Sequence, residues 1–195
     1  MQYKESAVSH GKDIDNMAIA QNFAESGRLH MTGEIIDEIY RDGKLVDRIV
    51  DHNLIVNSAM KLVMALLKGE SGYSRIQYWA IGSGLSSWGS NPPDPEINAT
   101  RLTNESGRVA IAANEIVFLD ADFNVSSNPT NILRIKHTFG ANDCNGEWRE
   151  FGLFGGNATA SANTGMMINK KHHAVITKTS DMTIDRTMRF TLNLV

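Results

Sequence analysis

One dipeptide, Asp42-Gly43, constrains the fold of this 195-residue chain more than any other feature. It stands between two runs rich in β-branched and other apolar residues, 29–40 and 45–54. Asp-Gly readily supplies the two positive φ angles that a type I′ turn requires. The sequence therefore predicts a β-hairpin whose loop is these two residues.

The position of the turn sets a predicted register for the hairpin. One face would contain the pairs Ile39–Val46, Asp37–Arg48 and Ile35–Val50, and the other Tyr40–Leu45, Ile36–Ile49 and Glu38–Asp47. Like charges directly opposite each other on a sheet cost up to ~1 kcal/mol. We therefore expect the Glu38–Asp47 position to be solvated.

Alternation with a period of two recurs in the second half of the chain. Residues 133–139 alternate Leu, Ile, His and Phe with Arg, Lys and Thr, and residues 183–195 show the same kind of pattern. Such alternation indicates half-buried strands. Further strands are predicted over 76–81, 109–119, 148–154 and 166–176. The predicted fold is mainly β: an antiparallel β-sandwich or flattened barrel with one buried α-helix and an N-terminal arm.

The predicted helix covers residues 57–69. Asn57 or Ser58 would cap its start, and Gly69 is placed to end it. Apolar residues lie nearly all round this helix and only two lysines interrupt them, so we expect it to be buried on most sides. Its methionines are interpreted as core-filling residues, with binding to a partner helix as the alternative.

The domain boundaries follow from composition. Residues 1–28 are polar, with a few apolar anchors that include Met17, Ile19 and Phe23. They are interpreted as an arm that reaches a neighbouring subunit, with a mobile tail or a strap packed on its own domain as the alternatives. This polar start is not typical of a signal peptide. Residues 29–195 form a single predicted β-rich domain with the hairpin at 29–54, the helix at 57–69 and the sandwich at 76–195.

Composition and missing motifs argue against several classes of function. The net charge is −3, which disfavours a nucleic-acid-binding face, and no apolar run approaches a membrane span. Cys144 is the one cysteine, so a cysteine-based zinc site is not expected. His172 and His173 are adjacent, and in a strand they would point to opposite faces. GxSxG, HExxH and GxGxxG are absent, so we expect no enzyme, no cofactor and no metal.

Two polar regions contain the remaining candidate residues. The proline-rich loop 85–100 contains Trp88, which is either a contact for a partner or an anchor on its own sheet. Glu105 and Arg108 are interpreted as a structural ion pair rather than a catalytic one. Gly152, within the apolar run 148–154, indicates a bulge or a close backbone approach.

Three short motifs occur in order along the chain. A strand ending in Gly-Ser-Gly at 79–84 is followed by the spaced residues Leu102, Glu105 and Arg108, and then by Trp-Arg-Glu-Phe-Gly-Leu-Phe at 148–154. Together they resemble the tail-collar and tail-fibre attachment-domain family of bacteriophages. The resemblance extends over residues 53–195, where 53–69 is similar to a pattern found in related phage structural proteins.

The resemblance implies a non-enzymatic virion protein of the phage tail, collar or baseplate, made in the host bacterial cytoplasm. Such a protein would be an oligomeric adaptor or a fibre-attachment subunit. Its partners would be copies of itself and other virion proteins, namely tail, collar, baseplate or fibre subunits, rather than nucleic acid or a membrane. The candidate partner-contact residues are Met17, Ile19, Phe23, Trp88 and Arg149.

One further expectation concerns a single residue, Arg149. Arg149 is predicted to form an ion pair across strands or with a partner chain, and Glu105 is one candidate for its acid.

The alternative function is a β-sandwich module that binds carbohydrate or a host receptor. Trp88 and the loop 157–165 would serve that function.

Overall fold

The computed structural model describes residues 28–194. Thr32–Thr191 form the larger of two compact units and contain the helix and most of both sheets. Residues 1–27, which include nearly all of the predicted arm, lie outside the described part of the chain, as does Val195.

Eleven strands and one α-helix make up the described chain. They are β1 (Leu29–Arg41), β2 (Lys44–His52), β3 (Leu54–Ile55), α1 (Asn57–Lys68), β4 (Ser74–Gly82), β5 (Glu105–Ala110), β6 (Ile116–Leu119), β7 (Val125–Ser126), β8 (Ile132–Phe139), β9 (Gly146–Gly156), β10 (Met166–Lys178) and β11 (Met182–Leu194). One antiparallel sheet has the order β2-β1-β11-β8-β6-β7, and the other has the order β3-β10-β9-β4-β5. The predicted mainly β class is confirmed.

Aromatic side chains from both sheets meet in the core. Phe139 of β8 lies edge-on to Trp148 of β9, with ring centroids 4.9 Å apart, and Trp79 of β4 contacts Phe139 at 6.4 Å. All three side chains are fully buried. Edge-to-face aromatic packing of this kind adds to the stabilisation that burial provides. The two sheets therefore pack face to face, as in a sandwich.

The hairpin turn was predicted correctly, but its register was not. Asp42 and Gly43 have φ angles of 48° and 73°, and Tyr40 pairs with Leu45 as expected. A bulge then adds one residue to β2, so that Glu38 lies opposite Arg48 and Ile39 opposite Asp47. The shift replaces the unfavourable Glu38–Asp47 pair by opposite charges 3.6 Å apart. It also breaks the predicted Asp37–Arg48 pair.

The prediction that α1 is buried on most sides is wrong. Ala59 and Leu62 are its buried residues, whereas Met64 and Leu67 are 65% and 77% exposed. The predicted cap is also wrong, because Val56 occupies the N-cap position and no side chain caps the helix. The Ser58 hydroxyl instead donates to the carbonyl of Met167. Gly69 ends the helix at a φ of 68°, as predicted.

The single strand predicted over 109–119 is two strands in different sheets. β5 ends at Ala110, and a 3₁₀ turn at Ala113–Glu115 leads into β6. The Glu115 carboxylate accepts the backbone N–H of Ala112 at 2.7 Å, which stabilises the turn. The chain therefore crosses from one sheet to the other in the middle of an apolar run.

Candidate functional site

The three sequence motifs lie against one another in space. The backbone N–H of Ser83, in the Gly-Ser-Gly turn, donates to the carbonyl of Asn104 at 2.9 Å, and the Asn104 side-chain amide donates to the Ser83 hydroxyl at 2.6 Å. A Cβ atom added at Gly82 would lie 2.6 Å from Cγ of Glu150. Only glycine fits there, so the turn, the segment at 102–108 and β9 depend on each other.

Glu150 is the centre of this arrangement and is fully buried. Its carboxylate accepts the backbone N–H groups of Thr103 and Asn104 at 2.9 and 2.7 Å, and Lys170 Nζ lies 3.2 Å away. A buried carboxylate is stable only when hydrogen bonds and an opposite charge replace its lost hydration. Glu150 therefore holds the segment at 102–108 against the sheet.

Glu105 and Arg108 form a second buried ion pair, so the predicted structural pair is confirmed. Two parallel hydrogen bonds of 2.7 and 3.0 Å join the guanidinium to the carboxylate. Arg108 Nη1 also donates to the carbonyls of Thr159 and Thr164, at 2.9 and 3.0 Å. The pair thus fixes the loop that follows β9, and its planar geometry is typical of strong arginine–carboxylate contacts.

Trp88 is half-buried against its own domain. Its ring lies 4.2 Å from the imidazole of His172, and Arg149 Nη1 donates to its backbone carbonyl at 3.0 Å. His172 Nδ1 is 2.7 Å from the carbonyl of Pro93 and therefore carries the proton that is donated there. Burial lowers the pKa of His172, which favours the neutral ring. Two candidate residues, Trp88 and Arg149, are in this way brought together.

A cavity of about 830 Å³ lies beside Trp88. Its lining includes the charged residues Asp94, Glu96, Arg101 and Lys170 together with Asn98 and Asn163. An aromatic ring next to several hydrogen-bonding groups can hold a polar ligand that also has an apolar face. Asn163 belongs to the loop 157–165, so the cavity joins both segments that the sequence associates with a receptor.

Glu105, which was one candidate for the acid of Arg149, does not pair with it. Glu105 binds Arg108, whereas Arg149 Nη2 donates to Glu147 at 3.0 Å. Neighbouring residues in a strand point to opposite faces, so Arg149 lies on the loop side and Glu150 in the interior. The candidate contacts Met17, Ile19 and Phe23 lie outside the described residues.

The sequence interpretation missed a third buried ion pair, between two neighbouring strands of the six-stranded sheet. Arg186 of β11 is fully buried and donates from Nε and Nη2 to Asp37 of β1, at 2.7 and 2.6 Å. Its guanidinium also lies 4.2 Å from the ring centroid of Phe151. A signal was present, because Asp37 and Arg186 each interrupt the apolar face of an alternating strand with a charge of opposite sign.

The environments of two further titratable groups disfavour their ionised forms. Burial raises the pKa of the Cys144 thiol to about 11, so the sulfur is protonated at neutral pH. Burial and the nearby Arg186 charge lower the pKa of His173 to about 4, so that imidazole is neutral. At neutral pH Cys144 is therefore a thiol rather than a nucleophilic thiolate.

Two features are absent from residues 28–194. No helix in that part of the chain is long and apolar enough to cross a membrane. Within the same range, no group of three or more His, Cys, Asp and Glu residues is arranged to hold a metal ion. A comparison with protein-family models gives no match, and the chain has no significant match among curated proteins.

Proposed function

We propose that this protein is a non-enzymatic structural subunit of a phage tail, collar or baseplate, and that it acts as an oligomeric adaptor or fibre-attachment subunit. One observation carries the assembly role: the apolar stripe of α1, formed by Met60, Met64 and Leu67, is exposed. These residues follow the i, i+4, i+7 spacing of a helix face that packs against a partner. The proposed partner is another copy of the chain.

The energetics favour covering the α1 stripe. Full burial of one large apolar side chain stabilises by about 1.5–3 kcal/mol, so three exposed side chains are a substantial driving force. A helix of 12 residues is only ~18 Å long and does not provide the roughly 800 Å² per partner of a stable interface. A second surface must contribute.

The edge strand β2 offers that second surface. It is the outermost strand of the six-stranded sheet, and Leu45, Val46 and Val50 on it are at least half exposed. An open edge has unpaired backbone groups that can bind another chain. The α1 stripe and the β2 edge are the surfaces that we propose for assembly.

The arrangement of the motifs also supports the proposal. The residues that carry the phage resemblance are used for internal contacts: Glu105 and Glu150 hold Arg108, Lys170 and loop backbone. A motif with this role stabilises the fold of a domain and does not take part in catalysis. That is the expected role of a signature in an attachment domain.

Light scattering on the full-length protein tests the proposal. We expect a defined oligomer, which the Met64→Glu/Leu67→Glu variant should convert to a smaller species with an unchanged circular dichroism spectrum. Val125→Glu is the control for an added acidic side chain, because it places one glutamate at an exposed apolar position on β7. A monomeric full-length protein would contradict the proposal, as would a stripe variant of unchanged mass.

A second comparison tests the predicted arm. Deleting residues 1–28 should dissociate the oligomer if the arm exchanges between subunits. If the oligomer survives the deletion, residues 1–28 do not exchange between subunits. The α1 stripe and the β2 edge would then remain as the proposed interface.

Carbohydrate binding is the second candidate function, and the cavity beside Trp88 favours it. Trp88 and Asn163 come from segments far apart in sequence and line the same space. A glycan array probed with the wild type and with Trp88→Ala tests this. Glycans that bind the wild type and not the variant would support a receptor-binding module, and an array without hits would argue against it.

A further inference from the structure

An arginine pair lies on the face of the six-stranded sheet that points away from the core. Arg134 of β8 and Arg189 of β11 are direct cross-strand partners. Directly opposed residues in an antiparallel pair have Cβ atoms about 4.5–5.5 Å apart, and like charges in that position repel. Such a pair is expected only where something else compensates the two positive charges.

A pocket next to the two arginines is lined by one carboxylate, that of Glu34, which is already paired with Arg189. The pocket has a volume of about 260 Å³, and its lining includes Glu34, Lys136 and both arginines. Glu34 accepts a hydrogen bond from Arg189. Lys136 has its own acid, Asp185, at 2.9 Å.

Arg134 retains unused hydrogen-bonding capacity. Its Nε is buried and has no hydrogen-bond partner among residues 28–194. An unpaired buried donor is unfavourable, and a guanidinium presents five donors in a planar fork. Nε is too enclosed for a ligand to reach, so the Nη groups of this half-buried cation, which lies next to a second guanidinium, are the donors that a ligand would meet.

Phe123 forms an apolar wall of the same pocket. It has a φ of 64°, a backbone conformation that bulky residues rarely adopt, within a turn closed by the Asp120 carboxylate. The strained turn leaves the ring exposed, with the Arg189 guanidinium 3.8 Å from its centroid. Local strain of this kind often accompanies binding sites.

We propose that this pocket, which we call the Arg134 pocket, binds a small oxyanion, the phosphate or carboxylate group of its ligand. The Nη groups of Arg134 would hold two oxygens of that group. A pocket of about 260 Å³ is slightly below the usual range for small-molecule sites, roughly 300–1,000 Å³. It fits a free ion or the acidic end of a sugar, whose ring would pack on Phe123. The proposal is independent of the assembly role.

Calorimetric titration of the full-length protein at low ionic strength tests the proposal. The probes are inorganic phosphate, acetate and D-glucuronate, with sodium chloride at matched ionic strength as the reference for general screening. We expect saturable phosphate binding with a stoichiometry of one per chain. Glucuronate binding more tightly than acetate would indicate an acidic sugar, and equal binding would indicate a site for free oxyanions.

Arg134→Met is the decisive variant. It keeps a long side chain and removes the fork, so phosphate binding should weaken by about tenfold or more. Arg48→Met is the matched control, because Arg48 is an exposed arginine of the same sheet that does not line the Arg134 pocket, and it should bind phosphate as the wild type does. Unchanged binding by Arg134→Met would overturn the proposal. The absence of saturable binding by the wild type would overturn it even if that variant did not fold.

Discussion

The ion pair between Asp37 and Arg186 gives the sharpest stability prediction. Asp37→Asn preserves the size of the side chain but leaves a fully buried guanidinium without its counter-charge. Removing one partner of a buried pair typically costs about 3–5 kcal/mol. At about 2–4 °C per kcal/mol for a chain of this size, the melting temperature should fall by roughly 6–20 °C.

Urea unfolding followed by tryptophan fluorescence measures the loss in free energy of unfolding. Trp79 and Trp148 are fully buried and report on the core. Glu38→Gln is the control on the adjacent residue. Glu38 pairs with Arg48 at 3.6 Å, and the Arg48 side chain is 52% exposed. That variant should cost less than about 1 kcal/mol, as exposed ion pairs do.

A double replacement separates charge from packing. Asp37→Leu/Arg186→Met removes both charges and fills the space with apolar groups, which is often neutral or even stabilising by about 1–4 kcal/mol. It should therefore be more stable than Asp37→Asn. The reasoning is refuted if Asp37→Asn costs no more than Glu38→Gln, because the buried guanidinium would then not need its carboxylate.

Three further predictions concern single residues. Cys144, with its pKa raised to about 11, should react slowly with a thiol reagent at mildly alkaline pH and rapidly in concentrated urea; fast native labelling would show an accessible thiolate. The pKa of His173 is lowered from 6.5 to about 4, so the unfolded chain takes up a proton first and stability falls as the pH drops through that window. His173→Gln should flatten that part of the plot of urea midpoint against pH, and an unchanged slope would exclude His173 as its cause. Gly152→Ala places a Cβ 2.7 Å from the carbonyl oxygen of Asn169 and should lower the free energy of unfolding by about 1–3 kcal/mol. Gly89→Ala, with open space around it, should be nearly neutral in the same urea assay. Equal losses for the two variants would argue against a steric role for Gly152.

The hairpin shows how far local sequence patterns reach. Asp42-Gly43 determined the turn, because few other dipeptides accept two positive φ angles. The bulge on β2 was not predicted, since a register counted outward from a turn assumes one residue opposite each residue. The unfavourable Glu38–Asp47 pair was the available warning, and the observed shift removes it.

The buried charges were predictable to different degrees. Asp37 and Arg186 each stand on the apolar face of an alternating strand, and their opposite signs could have paired them. Glu150 gave no such signal, because most of its partners are backbone N–H groups near residue 103. Contacts of side chains with distant backbone depend on the tertiary path of the chain, which periodicity does not describe.

The helix gives the most useful disagreement between sequence and structure. Apolar residues nearly all round α1 predicted burial, since a periodic pattern shows which side chains avoid water but not what covers them. The sheet covers one face, at Ala59 and Leu62, and the α1 stripe is left on the other. Core filling accounts for the first face only. The second face is exposed and has the spacing of a helix interface, which motivates the proposal that a partner covers Met64 and Leu67. Substitution at these two positions is the most direct test of that proposal.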